Sequence, residues 1–167
     1  MTERGYLVRA NEATESESGF SHPWNPNSEM YGTRLGAMAG LSRVGVNRVR
    51  VPGGRESFIY HSHYTEEEWI YIVSGRGVAE IDGEEYEVAA GDFMGFPAPG
   101  VAHHLRNPYD EDLVYLVGGE SHEVEVADFP RLGRRMLRLG QNVEIYDTSD
   151  ARAFIPLQDE ADTSDQP

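Results

Sequence analysis

The sequence predicts an all-β domain of short strands closed into a sandwich or barrel, and two observations carry that prediction. Nine tyrosines, six phenylalanines and many valines are spread among 18 glycines, a mix that favours brief strands joined by tight turns. Apolar runs also recur at short intervals between turn signals such as Ser74-Gly75-Arg76-Gly77, Asp82-Gly83 and Gly91-Asp92, the rhythm of antiparallel sheets. The 167 residues suffice for one core and are short for two. A single domain is therefore expected over 20–157, preceded by a flexible arm at 1–19 and followed by a disordered acidic tail at 158–167.

The elements follow in order. Residues 10–19 have little to bury and read as a flexible arm or a late edge strand. Pro23 and Pro26 favour extended chain around Trp24, which is expected to pack on the barrel or on a second subunit, and His22 reads as a surface histidine. From Val44 to Val51 valines occupy both parities, so the inward face is open. Facing in, Arg48 and Arg50 would clamp a carboxylate or phosphate; facing out, the commoner case, they are solvated charges. A regular strand over 55–63 would put Arg55 on the face of Ser57, Ile59, His61 and His63 and make Arg55 a cationic substrate contact. A loop at 64–67 leads to the β-rich run 69–73, with Ile70 and Ile72 on the face of Glu68. Further strands are expected at 78–81, 85–88, 93–96 and 113–117, with Asp82-Gly83 as a hairpin turn.

Beyond Gly118-Gly119 the pattern changes. Asp128 as a cap, Pro130 in the first turn, Leu132, Met136 and Leu139 on one face and Gly140 as a stop predict a short carboxy-terminal helix. Arg131, Arg134, Arg135 and Arg138 would lie on its solvated side. A last strand is expected at 143–146.

Composition excludes several chemistries. With no cysteine, disulfides, thiolate metal sites, iron-sulfur clusters and cysteine nucleophiles are ruled out. All 14 basic residues are arginine, which removes Schiff-base chemistry and the phosphate-loop lysine. A formal net charge of −15 argues against nucleic-acid and anionic-membrane partners, both of which need a basic patch. No apolar run is long enough to span a bilayer and no basic-then-apolar leader opens the chain, so a cytoplasmic location is expected.

His61, His63 and Glu68, followed later by His103, are suited to one mononuclear metal site. Residues two apart on a strand share a face, so the two imidazoles of His61-Ser62-His63 would project together. If the loop at 64–67 is a tight connection, Glu68 lies beside them. Three imidazoles and one carboxylate suit manganese, iron, cobalt, nickel or zinc better than calcium. Within the acidic triplet, Glu67 is the alternative ligand to Glu68, and Glu66 reads as a solvated loop charge. His103 and His104 are adjacent, so a strand would offer only one of them to the ion.

The segment GRESFIYHSHYTEEEWIYIVSG, residues 54–75, resembles the first cupin motif, and GDFMGFPAPGVAHHLRN, residues 91–107, resembles the second. The resemblance selects Glu68 over Glu67 and His103 over His104. It implies a double-stranded β-helix, the cupin jelly-roll barrel, with a divalent transition metal near its open end and often a homodimer. It does not transmit a reaction, since one fold hosts many chemistries. Four protein ligands leave positions open on a five- or six-coordinate ion, which points to a metal-dependent enzyme acting on a small oxygenated metabolite by oxygenation, isomerisation, lyase chemistry or decarboxylation. Arg55, His104 and Tyr115 are its candidate substrate contacts. The alternatives are a non-catalytic module that binds or senses a sugar or metabolite, and a barrel that keeps the site for stability.

Overall fold

The structure, a computed structural model, describes residues 5–153. In chain order its elements begin with helix α1 (Ala10–Glu15), β1 (Ser18–Phe20), β2 (Met30–Thr33), helix α2 (Leu35–Met38) and β3 (Val44–Val51). They continue with β4 (Arg55–Glu56), β5 (Ser62–His63), β6 (Glu68–Ser74), β7 (Arg76–Ile81), β8 (Glu84–Ala89), β9 (Phe93–Phe96) and β10 (His103–Asn107). β11 (Leu113–Glu120), β12 (Val124–Phe129), β13 (Arg134–Leu139) and β14 (Asn142–Asp147) complete the set. Strand pairing is antiparallel throughout and forms three sheets, ordered β1-β2-β3-β11-β6-β9, β4-β10-β7-β8 and β14-β13-β12-β5. This is the expected jelly-roll barrel.

The core follows strand parity. On β6, Ile70 and Ile72 are buried while Tyr71 and Val73 face water, and on β9 Met94 and Phe96 alternate inward past Phe93. These side chains meet Val49, Val51, Leu105, Leu113 and Tyr115 from neighbouring strands in one cluster. Such alternation is what a sheet buried on one face requires. On β3 the inward set is Val49 and Val51, which turns Arg48 and Arg50 outward. There they pair with Glu17, at 3.3 and 2.8 Å, so neither serves as an anion clamp inside the barrel.

Four expectations need correction. The predicted carboxy-terminal helix is β12, a single 3-10 turn at Pro130–Leu132, and β13. Gly133 adopts φ +60, reversing the chain so that β13 pairs with β12 on one side and β14 on the other. Ladder bonds on both sides outweigh the helical spacing of Leu132, Met136 and Leu139. The arginines on this stretch are paired rather than free, Arg135 with Asp128 at 2.7 Å and Arg131 and Arg138 with Glu80 and Glu66. The segment read as a flexible arm or a late edge strand holds helix α1 and then β1, which is indeed the edge of its sheet, so only the flexible-arm alternative fails; Ala13 is buried, and its carbonyl accepts a 2.7 Å bond from the Thr33 hydroxyl. His22 is buried rather than superficial, its Nδ1 accepting from the Trp24 N–H at 3.2 Å and its ring lying edge-on to Phe58. The acidic tail at 158–167 lies outside the described residues.

The fourth correction concerns the segment around the histidines. The expected regular strand over 55–63 is broken into β4, an irregular stretch, and β5. β4 pairs with β10 while β5 pairs with β12, so parity is not transmitted from Arg55 to His61. The loop at 64–67 is likewise no hairpin: it carries the chain from the sheet of β5 to that of β6.

Candidate metal centre

Each of the three sheets supplies part of one cluster. His63 comes from β5, Glu68 from the start of β6 and His103 from the start of β10, while His61 forms an isolated bridge to His103. Donor atoms of these four residues all lie within 4.8 Å of one another. His61 Nε2 is 3.1 Å from His63 Nε2, and the Glu68 carboxylate is 3.3 Å from His63 Nε2 and 3.4 Å from His103 Nε2.

The other ring nitrogens determine what those close approaches mean. His61 Nδ1 lies 2.7 Å from the Ile59 carbonyl and His103 Nδ1 lies 3.1 Å from the Val101 carbonyl. A carbonyl only accepts, so both Nδ1 atoms carry the proton and the neutral rings turn bare Nε2 lone pairs toward the cluster. His63 Nδ1 donates to Glu125 at 3.3 Å. Lone pairs from three imidazoles and a carboxylate therefore face one another, and buried His103 Nε2 has no hydrogen-bond partner. An unpartnered buried polar atom is costly, and a cation at the common point resolves the arrangement. The donor set fits a divalent transition ion.

Titration behaviour fits the same geometry. Burial, together with the charge of His103, holds His61 at about 3, far below its ordinary 6.5. For Glu68 burial acts upward, but the His103 and His63 rings beside it outweigh that and keep the carboxyl well below the usual range. For His63 burial acts downward and is overcome by Glu68 and Glu125, so its value is raised. The site thus favours an ionised carboxylate and neutral His61, as metal ligation requires.

Glu125 is the functional residue that sequence reasoning missed. It is 1% exposed, and besides His63 it accepts from the Tyr64 N–H at 3.2 Å and from the Thr65 hydroxyl. Its signal lay in the chain, since Glu125 shares parity with Ala127 and Phe129, both buried. His63, Glu66 and Glu125 form a second grouping of potential ligands, but Glu66 is already held by Arg138 and by the His122 N–H at 2.7 Å. Glu66 is accordingly no solvated loop charge. Glu67 is exposed and stands outside both groups.

The cluster opens into a cavity of about 360 Å³. Met30, Val49, Phe58, Ile70, Phe129 and Met136 contribute apolar walls, and Phe96 stacks on His103 with ring centres 3.7 Å apart. Apart from the four clustered residues, the polar lining among the described residues is Asn47, Ser57, His104 and Tyr115. Burial, then the charge of Glu68, pushes the Tyr115 phenol up, against a smaller opposite pull from Ser57. His104 has its Nε2 3.6 Å from Glu56, away from the cluster. Arg55 does not reach the cavity; it pairs with Glu29 at 3.1 Å and is largely exposed.

An antiparallel barrel with three histidines and one carboxylate converging at a cavity defines a jelly-roll domain with a cluster that could hold a metal ion. The chain belongs to the cupin superfamily: the Cupin domain family profile matches residues 47–119. A crystal structure provisionally described as a sugar phosphate isomerase from Acidithiobacillus ferrooxidans is 33% identical, with a TM-score of 0.86 over 91% of this chain and 98% of that one. A sugar phosphate isomerase of the cupin superfamily from Silicibacter pomeroyi shares the fold, at 24% identity and a TM-score of 0.74 over 84% and 94% of the two chains. Polyketide synthase CurC of Streptomyces cyaneus is 31% identical over 99 residues, 59% of this chain and 58% of that protein. The chain spans only 44% and 58% of the curated relatives it matches.

Proposed function

We propose that the protein is a metal-dependent enzyme acting on a small oxygenated metabolite, with His61, His63, Glu68 and His103 as ligands of one divalent manganese, iron, cobalt, nickel or zinc ion. The observation that carries this reading is the convergence of three bare imidazole nitrogens and the Glu68 carboxylate at the floor of a cavity, with every Nδ1 tied to an acceptor. Names among the relatives range from isomerase to polyketide synthase, so they do not choose a reaction, and the site has to be argued from its own groups.

A bound ion would supply Lewis acidity and a template for substrate oxygens. The chain's own groups do the rest. The Ile59, Val101 and Glu125 acceptors fix ring orientation, which spares reorganisation when a ligand arrives. The apolar walls exclude water and strengthen electrostatic interactions within the cavity. Tyr115, neutral and lining the cavity, is placed to give a hydrogen bond to a substrate oxygen.

The test is metal analysis of protein expressed in defined medium, coupled to screens for oxygen uptake and for isomerase and decarboxylase turnover. Stoichiometric metal with metal-dependent turnover supports the reading. Stoichiometric metal with tight ligand binding and no turnover would replace it with a binding module, and protein that holds no ion would remove it.

A further inference from the structure

We infer that the substrate is a largely apolar, unphosphorylated compound bearing a chelating pair of oxygens, aromatic or polycyclic in body. The inference rests on the metal-centre reading above and deepens it by naming the class of molecule the cavity accepts. Three independent features of the cavity support it.

The first is the wall itself. Met30, Val49, Phe58, Ile70, Phe129 and Met136 offer methyl, thioether and ring surface. A polyhydroxylated sugar needs donors and acceptors on every side, because each hydroxyl stripped of water without a partner is costly. Asn47, Ser57 and Tyr115 meet a few polar atoms close to the cluster, and the surface beyond them suits hydrocarbon.

The second is the placement of the cations. A phosphate monoester is held by arginine forks, by lysine or by a helix amino-terminus. The chain has no lysine, and among the described residues no arginine and no helix residue lines the cavity. The arginines are spent elsewhere: Arg48 and Arg50 on Glu17, Arg55 on Glu29, Arg135 on Asp128, Arg138 on Glu66. One divalent ion already balanced by Glu68 is poorly matched to a dianion that also brings its own sugar hydroxyls.

The third is the approach. A smaller cavity of about 130 Å³ opens on the same cluster, sharing His63 and Glu68, and carries Glu66, Glu67 and Glu120 on its rim. With a net charge of −15 over the whole chain, the local and the long-range fields both repel a phosphorylated ligand and favour entry of a cation or a neutral molecule.

The inference is tested by anaerobic calorimetric titration of manganese-loaded protein with three probes. Hydroxyacetophenone and acetylnaphthol are neutral hydroxyketones with the same chelating head, differing by one aromatic ring; glucose phosphate is the third. Acetylnaphthol is expected to bind about tenfold tighter than hydroxyacetophenone, from the apolar area of the added ring. Glucose phosphate is expected to bind at least about a hundredfold more weakly than acetylnaphthol, for want of a cationic partner. Met30→Ala should lose several-fold in acetylnaphthol affinity while keeping its metal. Glucose phosphate binding as tightly as acetylnaphthol, or no gain from the added ring, would overturn the inference. Metal content is measured on the same samples. Protein that holds none of manganese, iron, cobalt, nickel and zinc defeats the metal-centre reading, and titration of that metal-free protein with acetylnaphthol against glucose phosphate still decides the preference of the wall.

Discussion

Glu125 stands behind His63, its carboxylate 3.3 Å from Nδ1, on the side of the ring opposite Glu68, which lies 3.3 Å from Nε2. The imidazole is thus gripped from both edges, and the rear carboxylate raises the basicity of the nitrogen that faces the cluster. Glu125→Gln keeps an acceptor and loses the charge, so metal affinity is expected to fall about tenfold; Glu125→Ala removes both and is expected to cost up to about a hundredfold. Competition with a fluorescent chelator measures both values, and equal affinity in all three proteins would deny Glu125 this role.

Single removals should sort the histidines. His61→Ala, Glu68→Ala and His103→Ala are expected to abolish stoichiometric metal, whereas His104→Ala retains it, because His104 Nε2 lies toward Glu56 rather than toward the other imidazoles. Elemental analysis of the four purified variants is the check. Equal loss from His103→Ala and His104→Ala would mean that the ligand face of β10 is misassigned.

Acid should destabilise the metal-free protein earlier than carboxylate titration alone would. His61 is held at about 3, against an ordinary 6.5, by burial and then by His103. Between those values the unfolded chain takes up a proton at this position that the folded chain refuses, so the His61 contribution to stability declines as pH falls from 6.5 toward 3, opposite in sign to that of His63, whose value is raised. The slope from one such group is at most about 1.4 kcal/mol per pH unit. Urea denaturation in the presence of a chelator reads the slope. His61→Gln, which has no proton to gain, should flatten it.

Gly119 has a position no other residue can fill. A Cβ there would press on the Glu67 carbonyl and on the Cα of Glu68, with which Gly119 pairs across the ladder. Gly119→Ala is therefore expected to shift a ligand-bearing strand, costing about 1–3 kcal/mol by overpacking and lowering metal affinity with it. Thermal denaturation and chelator competition should change together. A loss of stability with unchanged affinity would separate Glu68 from its neighbour.

The parts of this molecule visible in its sequence are those set by local alternation. β6 and β9 follow parity, and the four clustered residues stand out because two histidines two apart on an extended chain share a direction. What stayed hidden depends on partners distant in the chain. Residues 132–139 satisfy helical spacing and strand alternation equally, and only pairing with β12 and β14 decides between them. Arg55 was misplaced because a break in the strand after Glu56 is set by which sheet each half joins. Glu125 was overlooked because a glutamate in the alternating run Glu123-Val124-Glu125-Val126 looks like a solvent-facing residue until Ala127 and Phe129, on its own face, are seen to be buried.

Three of the four donors, His63, Glu68 and His103, reside on strands of three separate sheets and His61 bridges to His103, which has a mechanical consequence. An ion seated among them would act as a further cross-link between layers that are already joined by the His61–His103 bridge and by the Asn107 amide donating to the Val51 carbonyl. Unfolding would then require its release, so the denaturation midpoint should climb with free metal concentration, by about 2.7 kcal/mol when the ion stands a hundredfold above its dissociation constant. A barrel fastened in this way would gain resilience from the ion it held, and cellular metal starvation would lower its abundance.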